Sequence, residues 1–212
     1  MRLVIGNKNY SSWSLRPWLA MKHWAIPFEE IRIALYAADS HRQILQYSPS
    51  GKVPVLLDGQ TAVWDSLAIL EYLAERYPQL WPAEPGARAV ARSVCAEMHS
   101  GFTALRQHLP MNCRARAAGR TDTPEVGHEI ARVLSIWQQL REEYGLKGEF
   151  LFGRFTAADA MYAPVALRFV TYQVELPPLS QTYVQTLLGL AALREWLSAA
   201  EAETEVIPQY EP

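Results

Sequence analysis

The sequence predicts a chain in two parts: an α/β unit of about 80 residues, then an all-α unit of about 125. Three observations carry this. Short apolar runs punctuated by turn residues alternate with helical patterns as far as Tyr77. Residues 78–86 then hold three prolines and a glycine, the composition of a linker. Beyond them, apolar residues recur at intervals of three and four, the period of amphipathic helices.

Each element follows in order. Residues 3–5 are an apolar run stopped by Gly6 and Asn7, which suits a buried strand. Leu15, Trp18, Leu19 and Trp24 recur at helical spacing, and Pro17 is expected in the first turn, where its missing N–H had no partner. Residues 28–33 alternate loosely as a second strand. Strand, helix, strand implies a right-handed crossover and a parallel pair. Asp58-Gly59 is a hairpin turn between residues 55–57 and 61–64. Asp65-Ser66 precede Leu67, Ile69, Leu70, Leu73 and Tyr77, so a helix starts near Ser66 and Pro78 marks its end. The order βαβ, a loop or short helix, then ββα makes residues 1–78 a compact unit of thioredoxin type.

After the linker, Val90, Val94, Met98, Phe102, Leu105 and Leu109 predict one long helix, and Val126, Ile130, Val133, Trp137, Leu140 and Tyr144 a second. Thr156-Ala157-Ala158-Asp159 is a capping box, with Asp in the place usual for Glu, opening a third helix that Pro164 should kink. Residues 187–202 supply at least one more. The expected division is 1–78, a linker 79–86, and a helical unit 87–212.

Composition excludes several classes. Half of the 212 residues are hydrophobic and the net charge is −2, so the chain is not of the disordered kind. The balance lacks the basic excess of a dedicated nucleic-acid binder. No stretch approaches the ~20 apolar residues of a membrane helix, and no signal-peptide core precedes Gly6. Two cysteines, Cys95 and Cys113, are too few for a disulfide framework. Cys95 is expected to be packed and Cys113 exposed in a polar loop. The five histidines are scattered, with no metal spacing. A cytoplasmic protein with no metal, nucleic acid or membrane partner is the expectation.

Four motifs then stand in order: Asn9-Tyr10-Ser11-Ser12-Trp13-Ser14 after the first strand, Gly51-Lys52-Val53-Pro54 before the third, Asp65-Ser66-Leu67-Ala68-Ile69 after the fourth, and Phe152 to Asp159 in the helical part. Together they make the chain resemble the cytosolic glutathione S-transferases over essentially its whole length. The serine motif is similar to the Ser-Ser-Cys-Ser of zeta-class enzymes, with Trp13 in place of Cys.

The resemblance implies a thioredoxin-like glutathione-binding domain, a helical acceptor-side domain, a homodimer and detoxifying conjugation of small electrophiles. Glutathione-dependent isomerase or peroxidase chemistry on the same site, or a non-catalytic binding protein of the same fold, are its alternatives. Val53, before a cis Pro54, would pair with the cysteinyl backbone of glutathione like an added strand. Asp65 would take the ammonium, and Ser66 with the helix N-terminus the γ-glutamyl carboxylate. Lys52 would meet the glycine carboxylate, with His41 and Gln43 as further glycyl contacts. Glutathione must react as a thiolate, so a hydroxyl at a helix N-terminus is needed beside the sulfur. Ser11 is the first candidate, Ser12 the second and Tyr10 the third. Tyr10, Trp13, Met98 and Phe102 are expected to line the acceptor site. Arg88, Arg92, Arg106, Arg114, Arg116 and Arg120 form a basic stretch, read as a solvated face or as a basic mouth that attracts anions.

Overall fold

The computed structural model describes residues 1–118 and 123–211, with Lys147 as backbone only. Strands β1 (Arg2–Ile5), β2 (Glu29–Arg32), β3 (Val55–Asp58) and β4 (Thr61–Trp64) form one sheet in the order β2-β1-β3-β4. β1 and β2 run parallel through the crossover helix α1 (Ser12–His23), while β3 is antiparallel to both neighbours. The period of two sorts the strand residues by face. Leu3, Ile5 and Leu56 point into the main core. Val4 and Val55 point the other way, where Ile33, just after β2, and Ile44 of the short helix α2 (Ser40–Leu45) cover them.

Helix α3 (Ser66–Ala74) completes this unit and lies against α1. The helical part comprises α4 (Pro85–Ser100), α5 (Thr103–His108), α6 (Pro124–Glu143), α7 (Ala157–Thr171), α8 (Pro178–Gly189) and α9 (Ala191–Ala202). α7 is apolar nearly all round and is buried along almost its whole length. α1 and α4 both pack on it, so one continuous core runs through both parts of the chain. The capping box forms as the sequence predicts: the Asp159 carboxylate accepts from the amide and hydroxyl of Thr156, at 2.8 and 3.1 Å.

Several elements differ from the sequence reading. Pro17 is the sixth residue of α1 rather than a first-turn residue, because the helix starts at Ser12. It takes away the bond that the Trp13 carbonyl would receive. The long helix expected across 90–109 is two, since Gly101 is extended and Phe102 is left-handed at φ 58°. The break turns the chain while the apolar spacing carries on, so the sequence period did not register it. α3 ends at Ala74, and Pro78 instead opens a short 3₁₀ turn. The 187–202 stretch divides between α8 and α9. Cys113 is buried, its thiol pointing at the Lys8 carbonyl, rather than exposed; Cys95 is buried as expected. Trp81 in the linker is buried too.

Candidate functional site

A cavity of about 860 Å³ opens between the loop after β1, the β2–β3 connection, α5 and the C-terminal tail. That volume suits a ligand of tripeptide size. Its floor is the N-terminus of α1, with Tyr10, Ser11, Ser12 and Trp13 in the wall.

The loop that delivers these residues is held from several sides. Glu203, after α9, accepts from the amides of Lys8 and Asn9 at 2.7 and 3.0 Å. The Trp196 indole donates to the Lys8 carbonyl at 2.9 Å, and Asn9 donates to Asn112 at 3.0 Å. Asn7 accepts from the Leu35 amide at 2.7 Å. Apart from Asn7 Nδ2, which is buried without a partner among the described residues, the polar groups at 7–9 are met by specific partners that hold the start of α1 in place.

Ser11 is the N-cap of α1, yet its side chain caps no amide. It donates instead to Ser14 Oγ at 2.7 Å, and Ser14 Oγ also accepts from the Gly6 amide at 3.1 Å. The first turn of α1 is left without a side-chain cap and without an acidic residue, an arrangement open to an anion. Ser12 Oγ accepts from the guanidinium of Arg168 on α7 at 3.1 Å. The Tyr10 hydroxyl is committed elsewhere. It donates to the Glu211 carboxylate and accepts from Arg114 at 2.9 Å and from the Ile207 amide at 3.3 Å.

Val53-Pro54 is a cis peptide just before β3, and Val53 stands outside the strand ladder, which begins at Val55. Lys52 and Val53 line the cavity, as does His41, while Pro54 is buried behind them. Gln43 does not line it; its amide donates to Asp39 at 2.6 Å. Gly51 is left-handed at φ 66°, and a Cβ there would meet His41 at 2.6 Å, so this turn needs glycine on both counts.

Asp65 has φ 78°, a strained value for a residue with a side chain. Its Oδ1 caps α3 through the Leu67 amide at 2.9 Å, and its Oδ2 meets His99 Nε2 of α4 at 3.1 Å. His99 in turn packs edge-on against Trp13, with ring centres 5.3 Å apart. Asp65 thus joins the cavity wall through His99 and Trp13, and neither Asp65 nor Ser66 lines it. The Ser66 hydroxyl is buried and has no hydrogen-bond partner among the described residues.

Met98 and Phe102 do not reach the cavity. Both are buried in the core, because the face of α4 that carries Met98 packs on α7. The side chains that α5 and its exit present instead are Thr103, Arg106, Gln107 and Met111. The arginines also separate. Arg92 forms a pair with Glu71, while Arg88, Arg114 and Arg116 donate to backbone carbonyls. Among the described arginines of that stretch Arg106 lines the cavity, and no basic mouth forms from Arg88, Arg92, Arg114 and Arg116. Arg120 lies outside the described residues.

Three residues were invisible to the sequence reading. Arg168 lines the cavity while almost fully buried, with bonds to the Leu109 and Arg106 carbonyls besides that to Ser12. Burial, then the charge of Arg106, brings its pKa down to about 10. Arg16 is equally buried with its guanidinium 4.1 Å from the Trp13 ring centre, and its Nε and Nη1 find no partner among the described residues. Burial, followed by Arg168 and Arg106, brings it down to about 9. Tyr210 completes the mouth: its hydroxyl meets that of Tyr36 at 2.6 Å. A lone arginine inside an apolar helix pattern was the available signal for Arg168.

Among the described residues no group of three or more His, Cys, Asp and Glu gathers to hold a metal, and no helix is long and apolar enough to cross a membrane. Family models described as glutathione S-transferase N-terminal domain and C-terminal domain match residues 10–76 and 87–199. A zeta-class glutathione S-transferase of Euphorbia esula is 26% identical over 72% of this chain and 66% of its own length. A maleylacetoacetate isomerase of Pseudomonas aeruginosa is 30% identical over 68% of this chain and 71% of its own. The chain therefore spans about two thirds of the length of these curated relatives. Among solved structures, a glutathione transferase homolog of Burkholderia GL BGR1 with bound glutathione superposes with a TM-score of 0.73 at 22% identity, covering 95% of this chain and 98% of that one.

Proposed function

Because the chain belongs to the glutathione S-transferase family, we propose that it binds glutathione in the cavity between its two parts and ionises the thiol for attack on a small electrophile. The observation that carries this reading is the uncapped N-terminus of α1, two serines at its start, in the wall of a cavity that also holds Lys52 and Val53. A thiolate set there gains the helix dipole and a hydroxyl donor, and a thiol of ordinary pKa near 8.5 gains neither.

Each end of glutathione has a partner in this reading. The backbone of Val53 pairs with the cysteinyl unit beside cis Pro54. The γ-glutamyl end would extend past the cavity edge to the exposed Asp65 for its ammonium and to the α3 N-terminus for its carboxylate, where a shift of the buried, unpartnered Ser66 hydroxyl would add a donor. Lys52 is exposed at the mouth and meets the glycine carboxylate. Ser11 and Ser12 are the candidates for the sulfur. Tyr10 and Trp13 border the acceptor, with Arg106 and Met111 where Met98 and Phe102 were expected.

Arg106 favours a second reading, a glutathione-dependent isomerase whose substrate carries a carboxylate, in line with the name of the Pseudomonas aeruginosa relative. The domains divide at 1–78 and 87–212, joined by 79–86. A cytoplasmic homodimer fits this reading. The outer groove formed by α3 and α4, with Tyr72, Trp81 and Arg92, is the face we assign to the second copy.

Retention on immobilised glutathione and a melting-temperature rise with free glutathione test the proposal. Both are expected; absence of both rejects it. A panel of electrophiles, peroxides and maleyl acids then separates conjugation from peroxidase and isomerase chemistry.

A further inference from the structure

We propose that Arg168 sets the ionisation of the bound thiol by acting through Ser12, so that Ser12 rather than Ser11 donates the hydrogen bond to sulfur. This deepens the glutathione reading above and rests on it.

The two serines differ in where their protons go. Ser11 donates to Ser14, and Ser14 is also engaged by the Gly6 amide, so the Ser11 proton already serves the internal packing of the loop. Ser12 Oγ is an acceptor toward Arg168, at 3.1 Å, and donates to no other group among the described residues. Its proton is free to point into the cavity that it lines. A cation donating to the oxygen draws density from it and makes its O–H a stronger donor.

Arg168 is built for a fixed position. It is 4% exposed and held by the Leu109 and Arg106 carbonyls as well as by Ser12. No acidic side chain pairs with it among the described residues. Arg16, also buried and unpaired at Nε and Nη1, lies behind Trp13, and Arg106 lies beside the same ring, 5.5 Å from its centre. Three guanidinium groups gather near the floor of the cavity, partly offset by Asp65 toward Arg16 and by Glu129 toward Arg106. Such charge in a poorly solvated place is offset when an anion arrives. Asp65 faces this cluster from α3, with its oxygens shared with the α3 amides and His99.

The step balances simply. The S–H bond of glutathione breaks heterolytically, the electron pair stays on sulfur, and the proton leaves to water. Ser12 keeps its own proton and donates it as a hydrogen bond to the sulfur anion. Arg168 never touches sulfur, which makes it a positioning residue.

The ultraviolet thiolate band of the glutathione complex, titrated with pH, tests this in the full-length protein. Ser12→Ala is expected to raise the midpoint by about one pH unit, a tenfold loss of thiolate at fixed pH, and Ser11→Ala to raise it far less. Arg168→Met should raise the midpoint also, and the Ser12→Ala/Arg168→Met pair should add nothing to Ser12→Ala alone. Glutathione affinity, measured separately, should change less than threefold. A large shift in Ser11→Ala with none in Ser12→Ala overturns the proposal, as does an additive double variant. Should Arg168→Met fail to fold, the two serine variants decide, since both leave the carbonyl bonds of Arg168 in place. A wild-type protein that binds no glutathione rejects the broader function instead, and is told apart by the affinity measurement.

Discussion

His99 shows how one side chain can matter to a ligand it does not touch. Its Nε2 meets Asp65 at 3.1 Å, and its ring packs edge-on against Trp13, so it ties α4 both to the acid expected to hold the ammonium and to the cavity wall. His99→Ala removes one hydrogen bond to that carboxylate, worth about 1 kcal/mol. The expected result is a melting temperature lowered by about 2–4 °C and a glutathione dissociation constant raised severalfold, read by calorimetry or fluorescence quenching, because the carboxylate loses its anchor. Nothing in the sequence marked His99, because its meaning depends on α4 crossing the start of α3. Ser11, Ser12, Lys52 and Val53, which line the cavity, were singled out for the opposite reason. Each sits in a short motif whose chemistry is local: a helix start, a turn, a strand edge. Met98 and Phe102 misled because helical spacing says which residues share a face, not whether that face meets a cavity or a neighbouring helix.

At the scale of elements, the start of α7 is a place where removal of one group should be costly. The Asp159 carboxylate accepts from the Leu151 amide, the Thr156 amide and hydroxyl, and the Tyr183 hydroxyl. Asp159→Ala leaves those buried donors unsatisfied and should lower unfolding stability by about 3 kcal/mol, measured in urea. Burial pushes this carboxyl up to about 6, against the pull of its four donors. Between about pH 4 and 6 the folded protein therefore holds this proton while the unfolded chain has lost it. The contribution of Asp159 makes stability fall as pH rises through that window, and comparison with Asp159→Ala at both ends should show the slope reduced. The β2–β3 turn offers a second element test. Gly51→Ala puts a methyl against His41 at a left-handed position, and should weaken glutathione binding severalfold by displacing Lys52 and Val53. The helix break at Gly101 and Phe102 escaped the sequence reading because the apolar period survives it, whereas the capping box was plain, since Thr and Asp three apart before an apolar run have few other uses.

For the whole molecule, the two-part division was written in the change of apolar period near residue 80, and the parallel first pair followed from the strand-helix-strand pattern, whereas the sheet order did not. What could not be read was the return of the chain after α9. Glu203 seals the loop before α1, Arg32 pairs with Glu203 and Glu205, and Tyr210 closes one side of the cavity against Tyr36. These contacts join residues more than 170 positions apart, and a local pattern carries no trace of them. Glu203→Ala should therefore act on both stability and site, with unfolding free energy lowered by about 2 kcal/mol and glutathione affinity reduced, because the amides of Lys8 and Asn9 lose their acceptor. The central claim, that the assembled molecule binds glutathione as a thiolate, is tested most directly by titrating glutathione into the protein calorimetrically at neutral pH in two buffers of different ionisation enthalpy. The account predicts that binding releases about half a proton or more per chain, since a thiol that is mostly protonated in water ionises on entering the site. Binding with no proton release would contradict it.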